Sequence, residues 1–349
     1  MKKDCLVIFT PGFPDGEQDT RCMPYIQLFL KGLIAAYPNL TVQVISFQYP
    51  FESKSFEWNS CKVFSIGGKN KKWNRLFVWK KAKNVFADIC KNNSVIGVLS
   101  LWLTESTYIA AKVSKKYNIP HISWALGQDV KKNNRYISRI NFSHIHIAAL
   151  SPFSKEQLQL NHNIEANSII SCGIHEPGVP KHTPQQKEYD IISVGSLSDF
   201  KRFDWIVDCV AALKEKCKIV KACMIGDGPE YVSIKEKINK LGLQDVIELK
   251  GSLPHNECLS LMMRSKILLH PSSFEGGPMV VLEALYYGCY VVSATVPHEQ
   301  MPATFFKVNT LQEMITKTEE LLHLPDNETS YCVTSSVENA KKLMKIFNY

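Results

Sequence analysis

Short apolar runs that break into Gly- or Pro-rich turns and then into helical stretches recur along this chain of 349 residues, and that alternation restricts the fold more than any other feature. Cys5 to Phe9 opens into Thr10-Pro11-Gly12-Phe13-Pro14-Asp15-Gly16, and a helical stretch from Met23 to Ala36 follows. Asp190 to Val194 opens into a loop at Gly195, Lys221 to Ile225 into Gly226-Asp227-Gly228-Pro229, and Ile267 to Leu269 into the loop that ends at Pro278. Further strands are expected at Val63 to Ile66, Val95 to Leu101, His121 to Ala125 and His144 to Leu150, with helices between them. Strands alternating with helices build parallel sheets covered on both faces. Residues 175 to 188 interrupt the pattern: they hold Pro177, Gly178, Pro180 and Pro184 and no apolar period, as a linker does. The expected fold class is α/β, with two doubly wound parallel-sheet, Rossmann-like domains facing across a cleft. The expected boundaries are 1–175 for the first domain, 176–188 for the linker and 189–330 for the second domain. A C-terminal helix over 331–349 is expected to pack back on the first domain.

The composition is 45% hydrophobic and 21% charged, enough for ordinary cores. No run approaches the ~20 apolar residues that span a bilayer. The apolar core near the amino end is shorter than the ~7 residues of a secretory signal, and Pro11 ends it, so it reads as the first strand. The eleven cysteines form no C-x-x-C pair and several sit in apolar runs, which suits buried thiols in a cytoplasmic protein. His144 and His146 share one face of a strand, but two ligands are too few for zinc, and no metal is expected. The net charge of +8 favours anionic partners. Much of it comes from Lys69, Lys71, Lys72, Arg75, Lys80, Lys81 and Lys83, which alternate with Trp73, Phe77 and Trp79. This segment reads as a helix with Leu76, Trp79, Phe86 and Ile89 on its apolar stripe. Three roles stay open for it. It is a core helix with a solvated lysine face, a peripheral attachment to the inner, anionic face of a membrane, or a nucleic-acid adaptor. No RNA-binding motif supports the last, and no nucleic acid is expected as a partner.

The stretch Ser272 to Leu285 carries the most chemistry. Pro278 suits the first helical position and Gly288 the position past the end. Amides at such a helix start, with the helix dipole, favour an anion such as phosphate. Glu275 and Glu283 stand eight residues apart, one before the helix and one in its second turn. Acids beside an anion site suit neutral hydroxyls. Amides for phosphate and carboxylates for hydroxyls together point to a sugar nucleotide.

Three motifs in order give the C-terminal half a family resemblance. Val194-Gly195-Ser196-Leu197 with Lys201 is similar to a G-R-L-x-x-x-K loop, Ile225 to Pro229 is similar to a G-x-G-P loop, and Glu275 through Glu283-Ala284 forms E-x7-E. The chain thus resembles the retaining glycosyltransferases of family four, which have the two-domain GT-B fold; the likeness is good over residues 189 to 300. The resemblance implies metal-independent transfer of a sugar, with retention, from a nucleotide sugar to an acceptor, with UDP the commoner nucleotide; no separate cofactor is required, and no D-x-D sequence is present. The acceptor is expected to be a saccharide or a lipid-linked saccharide. By position, Glu275 would hold sugar hydroxyls and Glu283 the ribose. Gly276, Gly277, Pro278 and Met279 would surround the diphosphate, and Lys201 would neutralise its growing charge. Gly226, Asp227, Gly228 and Pro229 would line the donor, with Ser252 and Leu253 near the base. Asp227 also suits plain Asp-Gly turn chemistry. On the acceptor side stand Gly12, Gly16 and Gly127, with Asp129 placed to contact a sugar. Two positions depart from the pattern. Ser196 replaces the Arg, with Arg202 a candidate substitute, and Leu126 replaces a His. Those departures leave open a binding protein on the same fold without turnover.

Overall fold

A computed structural model describes every residue except 1, 21, 176–182, 184 and 217–219. Most of the expected linker therefore lies outside the described residues. The chain divides into two compact units, one made of residues 1–175 with 335–349 and the other of residues 176–334.

The first unit holds β1 (Asp4–Gly12), α1 (Pro24–Ala36), β2 (Thr41–Tyr49), β3 (Lys54–Trp58), β4 (Cys61–Ser65) and α2 (Arg75–Asn92). There follow β5 (Ser94–Leu101), α3 (Glu105–Tyr117), β6 (His121–Ala125), β7 (Ile145–Ala149), α4 (Pro152–His162) and β8 (Ser168–Ile169). Its sheet runs β3-β4-β2-β1-β5-β6-β7-β8. Strands β1, β2 and β4 to β8 pair in parallel, while β3 pairs antiparallel to β4. Cys5 to Phe9 are fully buried, as a central strand with helices on both faces requires. The hairpin of β3 and β4 is absent from the sequence reading. Its two-residue turn uses Asn59 and Ser60, both with positive φ, without the glycine that usually marks such a turn.

The inward face of α2 differs from the expectation at its amino end. Val78, Ala82, Phe86 and Ile89 are its buried residues, whereas Leu76 and Phe77 face solvent. Phe86 and Ile89 of the expected stripe are buried and Trp79 packs half-buried on the same core, but Leu76 lies outside it and Val78 and Ala82 are buried instead.

The last helix, α10 (Ser336–Ile346), packs on α1 within the first unit. The crossing is close at Gly32, where a Cβ would stand 2.4 Å from Ser336 Oγ and 2.9 Å from Ser336 backbone carbon. Ser335 caps the helix by accepting a hydrogen bond from the Val337 amide.

The second unit holds β9 (Tyr189–Val194), α5 (Phe203–Lys216), β10 (Ala222–Ile225), α6 (Tyr231–Lys240), β11 (Ile247–Leu249) and α7 (His255–Met263). It continues through β12 (Ser265–His270), α8 (Met279–Tyr286), β13 (Tyr290–Ser293), β14 (Phe305–Lys307) and α9 (Leu311–Leu322). Its strands pair in parallel in the order β11-β10-β9-β12-β13-β14. The core joins Ile206, Val210 and Leu213 of α5 to Ile191, Met224, Ile267 and Val292 of the sheet. Strand β14 has three residues, too short for a periodicity to reveal.

In both sheets the chain winds outward from one strand and then returns to its other side. The reversal falls between β1 and β5 in the first unit and between β9 and β12 in the second. Crevices at the carboxyl ends of such strand pairs are where open α/β sheets bind ligands.

Candidate functional site

Around the β9–β12 reversal, four loops are stitched together through their backbones. The Gly195 amide donates to Ile225 O at 3.0 Å, and Leu197 N donates to Asp227 O at 3.0 Å. Gly226 N donates to Gly251 O at 2.8 Å, and Ser273 N donates to Phe200 O at 2.8 Å. Glycine is required at 226, where φ is +147° and a Cβ would lie 1.8 Å from Gly195 O; Gly228 is similarly confined against Leu197. The Asp227 carboxylate accepts from the Gly228 amide at 2.7 Å and is exposed, so here it shapes its own turn. Pro229 is also exposed, and Gly251 has positive φ beside Ser252 and Leu253.

Lys201 leaves the loop after β9 and Glu275 the loop after β12, and their side chains form an ion pair. Both are shielded, with side-chain exposures of 16% and 13%. His270, the last residue of β12, lies with Nε2 3.2 Å from Glu275 Oε1 and Nδ1 3.0 Å from Ser293 Oγ. Burial alone would raise the Glu275 pKa. The His270 hydrogen bond and the Lys201 charge outweigh it and hold the carboxyl at about 2. Burial moves His270 the other way, below the ordinary histidine value, and Glu275 offsets this only in part. A neutral His270 donating from Nε2 to a charged Glu275 fits both directions.

The helix α8 begins at Met279, with Pro278 at the capping position and not at the first helical one. Its peptide φ of −72° still directs the chain into the helix, but no side chain caps the amino end. At the other end Gly288, with φ +73°, lies just beyond Tyr287 as expected. Gly276 and Gly277 form the approach to this helix start. Glu283 is buried in the second turn, and its Oε1 sits 2.8 Å from His255 Nε2, at the start of α7. Burial pushes the His255 pKa down, but the Glu283 hydrogen bond and charge reverse this, and the net direction is upward.

Arg202 does not join Lys201. It has left-handed backbone geometry, its guanidinium lies 4.8 Å from the Trp205 ring centroid, and it lines a separate cavity of about 550 Å³. Ser196 is exposed, and its hydroxyl has Ser198 Oγ at 3.5 Å as a hydrogen-bonding neighbour. A cation to replace the missing Arg is therefore not supplied by Arg202 in this geometry.

In the first unit, the expectation for Asp129 needs correction. It is buried, and its carboxylate accepts from the amides of Leu103 at 2.8 Å, Gly127 at 2.8 Å and Leu126 at 3.1 Å. Burial raises its pKa, and those backbone bonds pull the other way. A carboxylate saturated with amides holds two loops together and is not presented to a sugar. Gly127, with φ +135°, is explained by the same turn. Gly12 ends β1 with Tyr49 Cβ 3.6 Å from where its own Cβ would be, and Gly16 has open space around it.

Sequence reasoning passes over His270 and His255. A polar residue ending an apolar parallel strand is the signal for the first; nothing local marks the second. Among the described residues, no group of three or more His, Cys, Asp or Glu side chains is arranged to hold a metal. His144 and His146 instead bond Ala111 O and Ser168 Oγ.

Two parallel α/β units with reversals at these edges make this a fold of GT-B type. Sucrose-phosphate synthase from Thermosynechococcus elongatus superposes with a TM-score of 0.69 over 99% of this chain and 95% of its own, at 14% identity. The Anabaena protein HepE, solved in complex with UDP and glucose, superposes with a TM-score of 0.62 over 99% of this chain and 97% of its own, also at 14% identity. More particularly, residues 178–301 match the model of the family described as glycosyl transferases group 1. Lys201, His270, Glu275 and Glu283 all lie in that span. The gpi3 subunit of phosphatidylinositol N-acetylglucosaminyltransferase from Schizosaccharomyces pombe is 31% identical over 106 residues, covering 30% of this chain and 23% of that relative. The match therefore spans about a quarter of that relative's length.

Proposed function

We propose that this protein transfers a sugar from a nucleotide sugar, UDP-linked, to a saccharide or lipid-linked saccharide acceptor, as in polysaccharide or glycolipid synthesis. The supporting observation is the convergence of Lys201, His270 and Glu275 beside the uncapped start of α8, at the reversal of the second sheet. In this reading the α8 amides and Lys201 hold the diphosphate, and Glu275 takes hydroxyls of the sugar. Glu283, oriented by His255, takes the ribose. When the glycosidic bond breaks, the pair of electrons leaves with the diphosphate, and Lys201 balances that charge. Such a preorganised cation is worth about 10²–10³ in rate. The departing oxygen takes the acceptor's proton on the same face of the sugar, which gives retention and needs no metal. A lipid-linked acceptor is supported by the name of the fission-yeast relative, and a UDP donor by the HepE complex.

The test is a panel of nucleotide sugars and free nucleotides, read by thermal stabilisation and by nucleotide release. No response from any of them refutes the proposal. A second reading is a nucleotide-sugar-binding protein without turnover, favoured by the position of Arg202 on Trp205 with Ser196 left as a small hydroxyl. Saturable binding with no product across a broad set of acceptors would establish it.

A further inference from the structure

A hollow of about 550 Å³ opens in the second unit between the loop after β9, the faces of α5 and α6, and Ser273 in the loop after β12. Its size falls within the ~300–1,000 Å³ of pockets that take a small ligand. Lys201, His270, Glu275 and Glu283 are not among its walls, so it is distinct from the site at the start of α8. Every residue in it belongs to the second unit.

The walls carry both signs of charge and two aromatic rings. Asp199, Asp204 and Glu230 supply carboxylates, and Arg202 and Lys237 supply cations. Two of these five groups are committed within the protein. Lys237 Nζ lies 2.7 Å from Asp208 Oδ1 and donates to Asp204 O at 3.1 Å, and Glu230 Oε2 accepts from Ser233 Oγ at 2.9 Å. The other three are placed but unpaired. Among the described residues, Asp199, Asp204 and Arg202 have no opposite charge within ion-pairing distance. Arg202 has a left-handed backbone, φ +51°, with its amide donating to Asp199 O at 3.1 Å. Glycine would take that backbone with less strain. What arginine adds there is a guanidinium 4.8 Å from the Trp205 ring centroid. Trp205 and Phe200 are both half-buried. Ser273 donates to Phe200 O from its amide at 2.8 Å and from Oγ at 3.1 Å, which fixes the Phe200 end of the hollow.

An anion would suit Arg202 but would meet Asp199, Asp204 and Glu230. A cation would suit those carboxylates but would meet Arg202 and Lys237. A neutral molecule with many hydroxyls satisfies both sets, because each hydroxyl donates to a carboxylate or accepts from a guanidinium. Aromatic rings beside such groups give its C–H face an apolar surface to lie on. Sugars have that make-up.

We propose that the hollow between α5 and α6 is a saccharide site. Asp199 and Asp204 accept from sugar hydroxyls, Arg202 donates to them, and the Phe200 and Trp205 rings back the apolar face of the sugar. The site stands beside the proposed transfer function and does not depend on it.

The experiment is saturation-transfer difference NMR on the full-chain protein without nucleotide, with maltotriose, cellotriose and chitotriose as probes. At least one of the three is expected to bind. W205A should weaken that binding by at least about tenfold, and W205F, which keeps a ring, should restore most of it. D199N/D204N should weaken it by about tenfold or more, the scale of one lost hydrogen bond to a charged group. Both aspartates are exposed, so this second variant should match the parent in melting temperature and in its response to nucleotides. Binding of none of the three probes overturns the proposal, as does binding unchanged in both W205A and D199N/D204N. Inorganic phosphate or spermidine that binds in a manner sensitive to R202Q or D199N/D204N, while the trisaccharides do not bind, would also overturn it and assign the hollow to a charged ligand. A missing nucleotide response with intact saccharide binding would count against the transferase reading alone.

Discussion

Replacing Glu275 with Gln tests the candidate donor site through a quantity that does not depend on finding the substrate. Gln keeps the shape and can still accept from His270, but it removes the charge that pairs with Lys201. In the folded chain the Glu275 carboxyl titrates at about 2, against an ordinary value of 4.5. A depressed carboxyl stabilises the fold above its unfolded pKa, and the gain is lost as pH falls through the folded one. The shift of 4.5 − 2 corresponds to about 3 kcal/mol at neutral pH, at ~1.36 kcal/mol per unit. The side chain is only 13% exposed, so solvent screening removes little of this. E275Q should therefore be less stable than the parent by up to about 3 kcal/mol at pH 7, less whatever the retained His270 hydrogen bond contributes. The gap should narrow by about 1 kcal/mol between pH 5.5 and 3.5, where the unfolded carboxyl begins to take up protons. Calorimetric unfolding of both proteins across that range reads the difference directly, with the transition of the second unit resolved from that of the first. A gap that does not change with pH, or an E275Q as stable as its parent at pH 7, would refute the environment assigned to this carboxylate. Lys201→Met should lower stability by less, because the His270 hydrogen bond to Glu275 remains, and the double variant should lose less than the sum, because the two side chains share one interaction.

Other outcomes follow from neighbouring residues. Lys201→Met should reduce transfer about 10²–10³-fold while changing nucleotide affinity far less, measured as kcat against Kd. His255 has a raised pKa, so the charged pair with Glu283 is present below the ordinary histidine value and is lost as pH rises through the raised one. Nucleotide affinity should fall over that rise in the parent, and H255Q should flatten the profile. Gly226→Ala places a methyl 1.8 Å from Gly195 O and should cost at least ~3 kcal/mol, read as a large fall in melting temperature. Asp129→Asn should destabilise the first unit by about 1–3 kcal/mol through its unmatched backbone amides, and nucleotide binding should stay as in the parent.

Much of the frame is legible because the physics behind it is local. Apolar runs such as Leu6 to Phe9 and Ile267 to Leu269 need only be buried on both faces to become central strands. Gly226, Gly228 and Gly288 sit where the backbone takes positive φ, and a glycine in a turn after a strand or helix announces that. The E-x7-E spacing places Glu275 in the loop and Glu283 in the second turn of α8 from sequence alone. Other features depend on tertiary contacts. His255 meets Glu283 across 28 residues because α7 packs beside α8. The role of Asp129 is set by amides of residues as far away as Leu103. For α2, the helical period sets Leu76 on one stripe with Phe86 and Ile89. Only the packing of Val78, Ala82, Phe86 and Ile89 on the sheet shows that Leu76 is left outside.

The seating of α10 against Gly32 bears on how this protein is made. The second unit is one continuous segment, whereas the first is finished by residues 335–349, about 160 residues after its own main body ends at His175. During vectorial synthesis the first sheet thus emerges with its α1 surface uncovered, and it stays so while the whole second unit is translated. Clipping residues 335–349 would wound the amino-terminal half and spare the segment that lies next to the cut. A nascent chain stalled before Ser335 should expose α1 to protease or chaperone, and should already hold a protected second unit.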